Sequence, residues 1–295
     1  TVLVQFDNNE VANGMYFKAP RTATVTVMDR NFDPALAQVA PWARDAGNAP
    51  TAAPAVAAWW AADPRAEWAT SVSFARELHY GMSVAVTDLA GNVAEPYEEP
   101  EFVIDLTAPS LSIGGISQHA AYADAVMPTI SYSDVNFDPL FATYELTGAA
   151  RGDVFMPTTE KDAAGGKTVD FADFEHKLEN DDVYTLTAAV DDLAGNTAEQ
   201  SVTFSVNRFG STYYFPNAES DVAGKFLDTA RLVEIAEVNV SGLDMAQAHA
   251  EVVHDSRTQL LKVGEDYEAI SGTDGAWSVT TYRFPKELFA EDGYY

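Results

Sequence analysis

With 295 residues, 47% of them apolar, and no cysteine, the chain has material for two or three hydrophobic cores but none for disulfides, thiolate zinc sites or thiol catalysis. Its 45 acidic against 17 basic side chains give a formal charge of −28, spread along the whole length. Such a field repels phosphate backbones and anionic lipid, which argues against nucleic-acid partners, and no apolar run is long enough to insert in a membrane.

In chain order, Thr22–Val27 alternates apolar with polar residues and predicts a strand with one face in a core. It runs into Asn31-Phe32-Asp33-Pro34, where proline removes a ladder donor and ends the strand. Residues 37–69 are rich in Ala and Pro and hold Trp42, Trp59, Trp60 and Trp68. Alternation resumes over Tyr80–Thr87, followed by Asp88-Leu89-Ala90-Gly91-Asn92 and a further strand near Glu101–Asp105. Strand, tight turn, strand predicts a closing β-hairpin.

The same order then returns. Asn136-Phe137-Asp138-Pro139 repeats the first motif and Asp192-Leu193-Ala194-Gly195-Asn196 repeats the second, at nearly equal intervals (31 to 136, 88 to 192). Two motifs displaced together indicate a tandem duplication of one domain length. Thr107-Ala108-Pro109 and Asn207-Arg208-Phe209-Gly210 mark the junctions, giving units 1–106, 107–208 and 209–295. In the third, Leu232–Val240 and Trp277–Tyr282 supply strands, and Asp292-Gly293-Tyr294 lines up with Asp182-Val183-Tyr184. That alignment predicts that the third unit lacks its last two strands and that the natural polypeptide continues past Tyr295. The start at Thr1 is read as that of a mature protein or an excised fragment. Short strands at regular spacing, without a sustained helical stripe, make the chain all-β, a series of antiparallel β-sandwiches.

The Asp-x-Ala-Gly-Asn turn after an alternating strand, the strand ending near Ile104-Asp105-Leu106-Thr107-Ala108-Pro109, and the early Asn-Phe-Asp-Pro resemble the bacterial immunoglobulin-like repeats of large Gram-positive cell-surface and secreted proteins. The resemblance covers the first two units well and the third only through its strand order. It implies tandem immunoglobulin-like sandwiches outside the cell, cell-wall-associated or secreted, serving as spacers, adhesive modules or accessory modules, with no family catalytic residues to carry over.

No resident cofactor is expected. Calcium is the alternative, because Asp134-x-Asn136-x-Asp138 places oxygen ligands at alternate positions and Glu145 falls at the twelfth. Pro139 stands where a sharp calcium loop needs glycine, so a side-chain-capped turn is the simpler reading. Trp59 and Trp60, adjacent and therefore on opposite faces of a strand, are the candidates for ligand binding. The five histidines show no metal or catalytic spacing, and no phosphate loop is present. The expected function is thus a non-enzymatic stalk or spacer. The alternatives are an adhesin or glycan-binding module built on Trp59 and Trp60, directed at a host or cell-surface protein or glycan, and the accessory domains of a large extracellular enzyme.

Overall fold

A computed structural model describes residues 1–63 and 66–295. Within Arg21–Met28, Ala23, Val25 and Val27 point inward and are buried, while the residues between them keep contact with solvent. The strand belongs to a four-stranded sheet in the order Val2–Phe6, Arg21–Met28, Glu67–Phe74, Trp60–Asp63. Facing it is a five-stranded sheet in the order Tyr16–Phe17, Tyr97–Ile104, His79–Val86, Ala37–Arg44, Pro50–Thr51. Tyr80, Met82 and Val84 of the second sheet meet Val25, Val72 and Phe74 of the first in one cluster. The expected closing hairpin is His79–Val86 with Tyr97–Ile104.

Both sheets recur in the second unit. The first runs Ser110–Gly114, Thr129–Ser133, Gly166–Phe171, Thr158–Ala163; the second runs Ala121–Tyr122, Thr197–Val206, Asp182–Asp192, Phe137–Gly148, Gly152–Asp153. Ile130, Tyr132, Val169, Tyr184 and Leu186 fill its core. In each unit the short strand at the edge of the second sheet adds in parallel (Tyr16–Phe17, Ala121–Tyr122), and the neighbouring ladders are antiparallel. This is the immunoglobulin-like arrangement. It carries a hallmark that periodicity did not reveal, a tyrosine hydroxyl bonded back to the chain four residues upstream. Tyr80 Oη donates to the Arg76 carbonyl at 3.0 Å, and Tyr184 Oη donates to the Asn180 carbonyl at 2.8 Å.

The repeated turns behave as their chemistry dictates. Asp88 and Asp192 each accept two N–H groups of their own turn and one side-chain amide, from Asn92 and Asn196 respectively. Gly91 and Gly195 sit at φ +86° and +82°, the left-handed region that favours glycine. The early strands close before the Asn-Phe-Asp-Pro motif, at Met28 and Ser133. Pro139 itself lies inside Phe137–Gly148, tolerated because the pairing register shifts between Phe137 and Ala142 and no ladder bond is required there.

The third unit has one four-stranded sheet, Thr212–Tyr214, Val233–Asn239, Trp277–Phe284, Glu268–Asp274, and a separate hairpin, Ala250–His254 with Arg257–Leu261. Tyr294, the counterpart of Tyr184 by sequence, is 82% exposed. It is tied instead to the end of that hairpin, where the Asp255 N–H donates to its carbonyl at 2.8 Å.

Candidate metal centre between the first two units

Three carboxylates converge where the first unit meets the second. Asp105 follows the last strand of unit one, and the connection from it enters Ser110–Gly114, whose Ser110 pairs with Ser133. The linker is thereby laid beside Asp134, the next residue after Ser133. Asp192 ends its strand opposite Phe137 and comes to the same place. One oxygen from each of Asp105, Asp134 and Asp192 lies within 4.8 Å of the other two.

Asp105 and Asp192 are buried and Asp134 is half-buried. At that separation each pair repels by about 3 kcal/mol at an effective dielectric near 20, before solvent screening. Burial pushes the Asp105 carboxyl upward, and the charges of Asp192 and Asp134 push it the same way against the bonds it accepts from Asn136 and Thr107. Burial also raises Asp134, with Asp192 again adding to the effect. Both groups therefore hold a proton more readily than a free carboxylate.

The surrounding donors bind the two units to each other. Asn136 Nδ2 donates to Asp105 Oδ2 at 2.6 Å, and Asn196 Nδ2 donates to the Asp105 carbonyl at 3.1 Å. From the other side, Asn13 Nδ2 of unit one donates to the Leu193 carbonyl of the second turn at 2.7 Å. Glu77 accepts the Leu106 N–H at 3.1 Å and the Thr107 hydroxyl, fixing the linker. Ala194 is consequently 3% exposed, whereas Ala90, its counterpart in unit one, is exposed.

An all-oxygen donor set suits a hard cation. Ligands held about 2.4 Å from calcium are at most about 4.8 Å from each other, which these three oxygens satisfy. Of the residues the sequence singled out, the structure brings Asp134 to this cluster and places Asn136 beside it as a donor. It does not bring Asp138 or Glu145. Asp138 Oδ1 accepts the Leu140 N–H at 2.9 Å, and Glu145 is exposed on the strand Phe137–Gly148. Residues 134–145 run into a strand, so a twelve-residue calcium loop does not form. Asp105 escapes the sequence reading because it looks like a linker residue, whereas Asp192, a possible ligand together with Asn196, reads more simply as the anchor of a turn. The available signal was that both motifs fall at the same end of the sandwich.

The second junction is built differently. Asn207 occupies the place of Asp105 and Val240 that of Asp134. Asn207 Nδ2 donates to Asn239 Oδ1 at 2.6 Å and Ser241 Oγ at 2.7 Å. Trp277 Nε1 reaches back from unit three to Asp182 Oδ1 at 3.0 Å. Asp181 accepts the Arg208 and Phe209 N–H groups, each at 2.9 Å, the linker-clasping role that Glu77 has in unit one.

The tryptophan candidates separate. Trp59 packs on the core with its ring 4.9 Å from Phe32, and Trp60 is 44% exposed on the edge strand Trp60–Asp63. Among the described residues no helix is long and apolar enough to cross a membrane.

No protein-family model matches the sequence, and no curated protein matches it. Solved structures align at low similarity. An Escherichia coli adhesin, FdeC, described as broadly conserved and as eliciting protection against urinary tract infections, is 12% identical over 97% of this chain and 88% of that one, with a TM-score of 0.32. A titin segment is 12% identical over 69% of this chain and 98% of its own (TM-score 0.33), and a titin Ig tandem is 9% identical over 70% and 98% (TM-score 0.28). At these scores the likeness carries nothing about function, and the sheet order itself defines the fold.

Proposed function

We propose that the chain is a non-enzymatic stalk or spacer segment of a bacterial cell-surface or secreted protein, made of modules 1–106, 107–208 and 209–295, that holds other parts of its protein at a set distance and angle. The observation that carries this reading is direct bonding across both junctions: Asn136 and Asn196 to Asp105 at the first, Asn207 to Asn239 and Ser241 and Trp277 to Asp182 at the second. Short, side-chain-clasped connections restrict interdomain motion that a free linker would allow. Acidity and the absence of cysteine suit a module that must stay soluble without oxidative maturation.

On this reading Asp105, Asp134 and Asp192 take calcium, which relieves their mutual repulsion and fixes unit one on unit two. The second junction, latched by neutral amides and hydroxyls, needs no ion. Small-angle scattering of the whole chain, in chelator and in millimolar calcium, tests both parts. A spacer gives a narrow distribution of interdomain distances in calcium that broadens on chelation. A broad distribution in both conditions rejects the spacer, while a narrow one in both rejects calcium alone.

A further inference from the structure

The outer faces of the two complete second sheets differ at one cross-strand pair. In unit two Thr147 faces Thr185, and the rows beside it are hydroxyl pairs, Thr185 with Thr203 and Thr187 with Ser201, each at 3.1 Å. That is an ordinary solvent-facing ladder. Aligned through Tyr80 and Tyr184, the same pair in unit one is Trp42 and Gly81. Ala43, Tyr80 and Met82 are buried in the core, so Trp42 and Gly81 lie on the outer face.

A glycine in the middle of a central strand weakens it and commonly marks a close approach. Here the approach is the indole: a Cβ at Gly81 would stand 2.5 Å from Trp42 Cζ2 and 2.6 Å from Cε2 and Nε1. The ring is half-buried against the strand. The Arg44 guanidinium lies 4.9 Å from the ring centre and donates to Asn48 Oδ1 at 3.1 Å. Opposite Arg44, His79 Nδ1 lies 2.7 Å from Glu101 Oε1. The fold does not need this arrangement, since unit two closes the same sheet with two threonines.

We propose that this face of unit one is a saccharide-binding surface. The indole packs on Gly81 and carries the exposed Arg44 guanidinium over its ring. With that side chain swung aside it offers an apolar face to the C–H side of a pyranose ring, and the hydroxyls at the rim of a sugar need both donors and acceptors around it. Arg44 and Asn48 on one flank, and His79 with Glu101 on the other, supply both kinds. A chain charged −28, with the Glu101 carboxylate paired to His79 on one flank, selects neutral sugars over sulfated or sialylated ones. The open sheet face fits a stretch of oligosaccharide chain. The surface is distinct from Trp59 and Trp60, and it adds a recognition role to the spacer.

The test uses the full chain on an array of neutral oligosaccharides (β-glucans, galactans and N-acetylglucosamine oligomers) beside sulfated and sialylated ones, followed by titration read by tryptophan fluorescence. Saturable binding of a neutral oligosaccharide is expected. Trp42→Ala should weaken it at least about tenfold, and Gly81→Ala, which displaces the ring but keeps it, should also weaken it. Trp60→Ala should leave it unchanged. The double variant Trp42→Thr with Gly81→Thr restores the pair found in unit two; it should melt no lower than the parent and still lose binding, separating recognition from folding. No saturable neutral ligand up to about 10 mM, binding that survives Trp42→Ala, or a preference for anionic glycans overturns the proposal.

Discussion

Asp105 and Asp134 are held above the ordinary carboxylate range mainly by burial, with neighbouring carboxylates adding to the rise. A raised folded-state pKa means that the folded form binds the proton more tightly than the unfolded chain does. Their contribution to stability is therefore fully present below the usual carboxylate range and is lost as pH rises through their raised values. Asp88, Asp170 and Glu175 are shifted the other way by their hydrogen bonds and oppose this trend, so the junction's share must be isolated by difference. In chelator, Asp134→Asn should raise the melting temperature of the parent protein near neutral pH, and the gain should shrink as pH falls and the parent carboxyl takes up its proton. In millimolar calcium the same substitution should remove the ion's stabilisation. Thermal melts at two pH values, with and without calcium, decide it. A variant that melts like the parent throughout would show that the three charges are not coupled.

Between single residues and the sandwich lie the corner and the turn. Removing the Tyr184 hydroxyl strips the Asn180 carbonyl and Arg151 of a buried partner, so Tyr184→Phe should destabilise unit two by about 1–3 kcal/mol, measured by denaturant unfolding. The two Asp-Leu-Ala-Gly-Asn turns make a matched pair. Asn92 and Asn196 make the same bond within the turn, but Asn196 also reaches the Asp105 carbonyl. Asn196→Ala should therefore loosen the first junction in scattering while Asn92→Ala affects only its own hairpin; equal effects would remove the junction role of the second turn. Much of this level was legible in the sequence, because alternation in Thr22–Val27 and Tyr80–Thr87 and the chemistry of Asp and Gly in a turn are local. The metal candidate was not. Asp105, Asp134 and Asp192 come from a linker, a strand exit and a turn in two different units, and only the pairing of Ser110 with Ser133 and of Phe137 with Asp192 brings them together. Trp42 escaped for a similar reason: its significance lies in Gly81, its cross-strand partner and far from it in sequence.

At the level of the whole molecule, stability should fall along the chain. Units one and two each bury a continuous cluster between two sheets, with residues such as Val25, Val72, Ile130 and Leu186 fully enclosed. Beside its four-stranded sheet unit three has a second sheet of two strands in place of five, and leaves Tyr213, Tyr214, Leu260 and Ile270 substantially exposed. Its hairpin, Ala250–His254 with Arg257–Leu261, is a two-stranded element of the kind that is marginal alone in water. The Tyr213 and Tyr282 hydroxyls converge on the buried Glu237 carboxylate and give the four-stranded sheet a polar anchor, which contributes less than a full second apolar layer would. Local opening should accordingly begin here. Hydrogen exchange on the intact chain should show Val233–Asn239 exchanging faster than its counterparts Arg21–Met28 and Thr129–Ser133, and the 250–261 hairpin fastest of the paired strands. Calcium should slow exchange at the first junction and leave unit three untouched, because the ion's only proposed ligands are Asp105, Asp134 and Asp192. Protection in Val233–Asn239 equal to that in Thr129–Ser133 would mean that the four-stranded sheet, with its Glu237 anchor and the Trp277 bond to Asp182, suffices to stabilise the third unit.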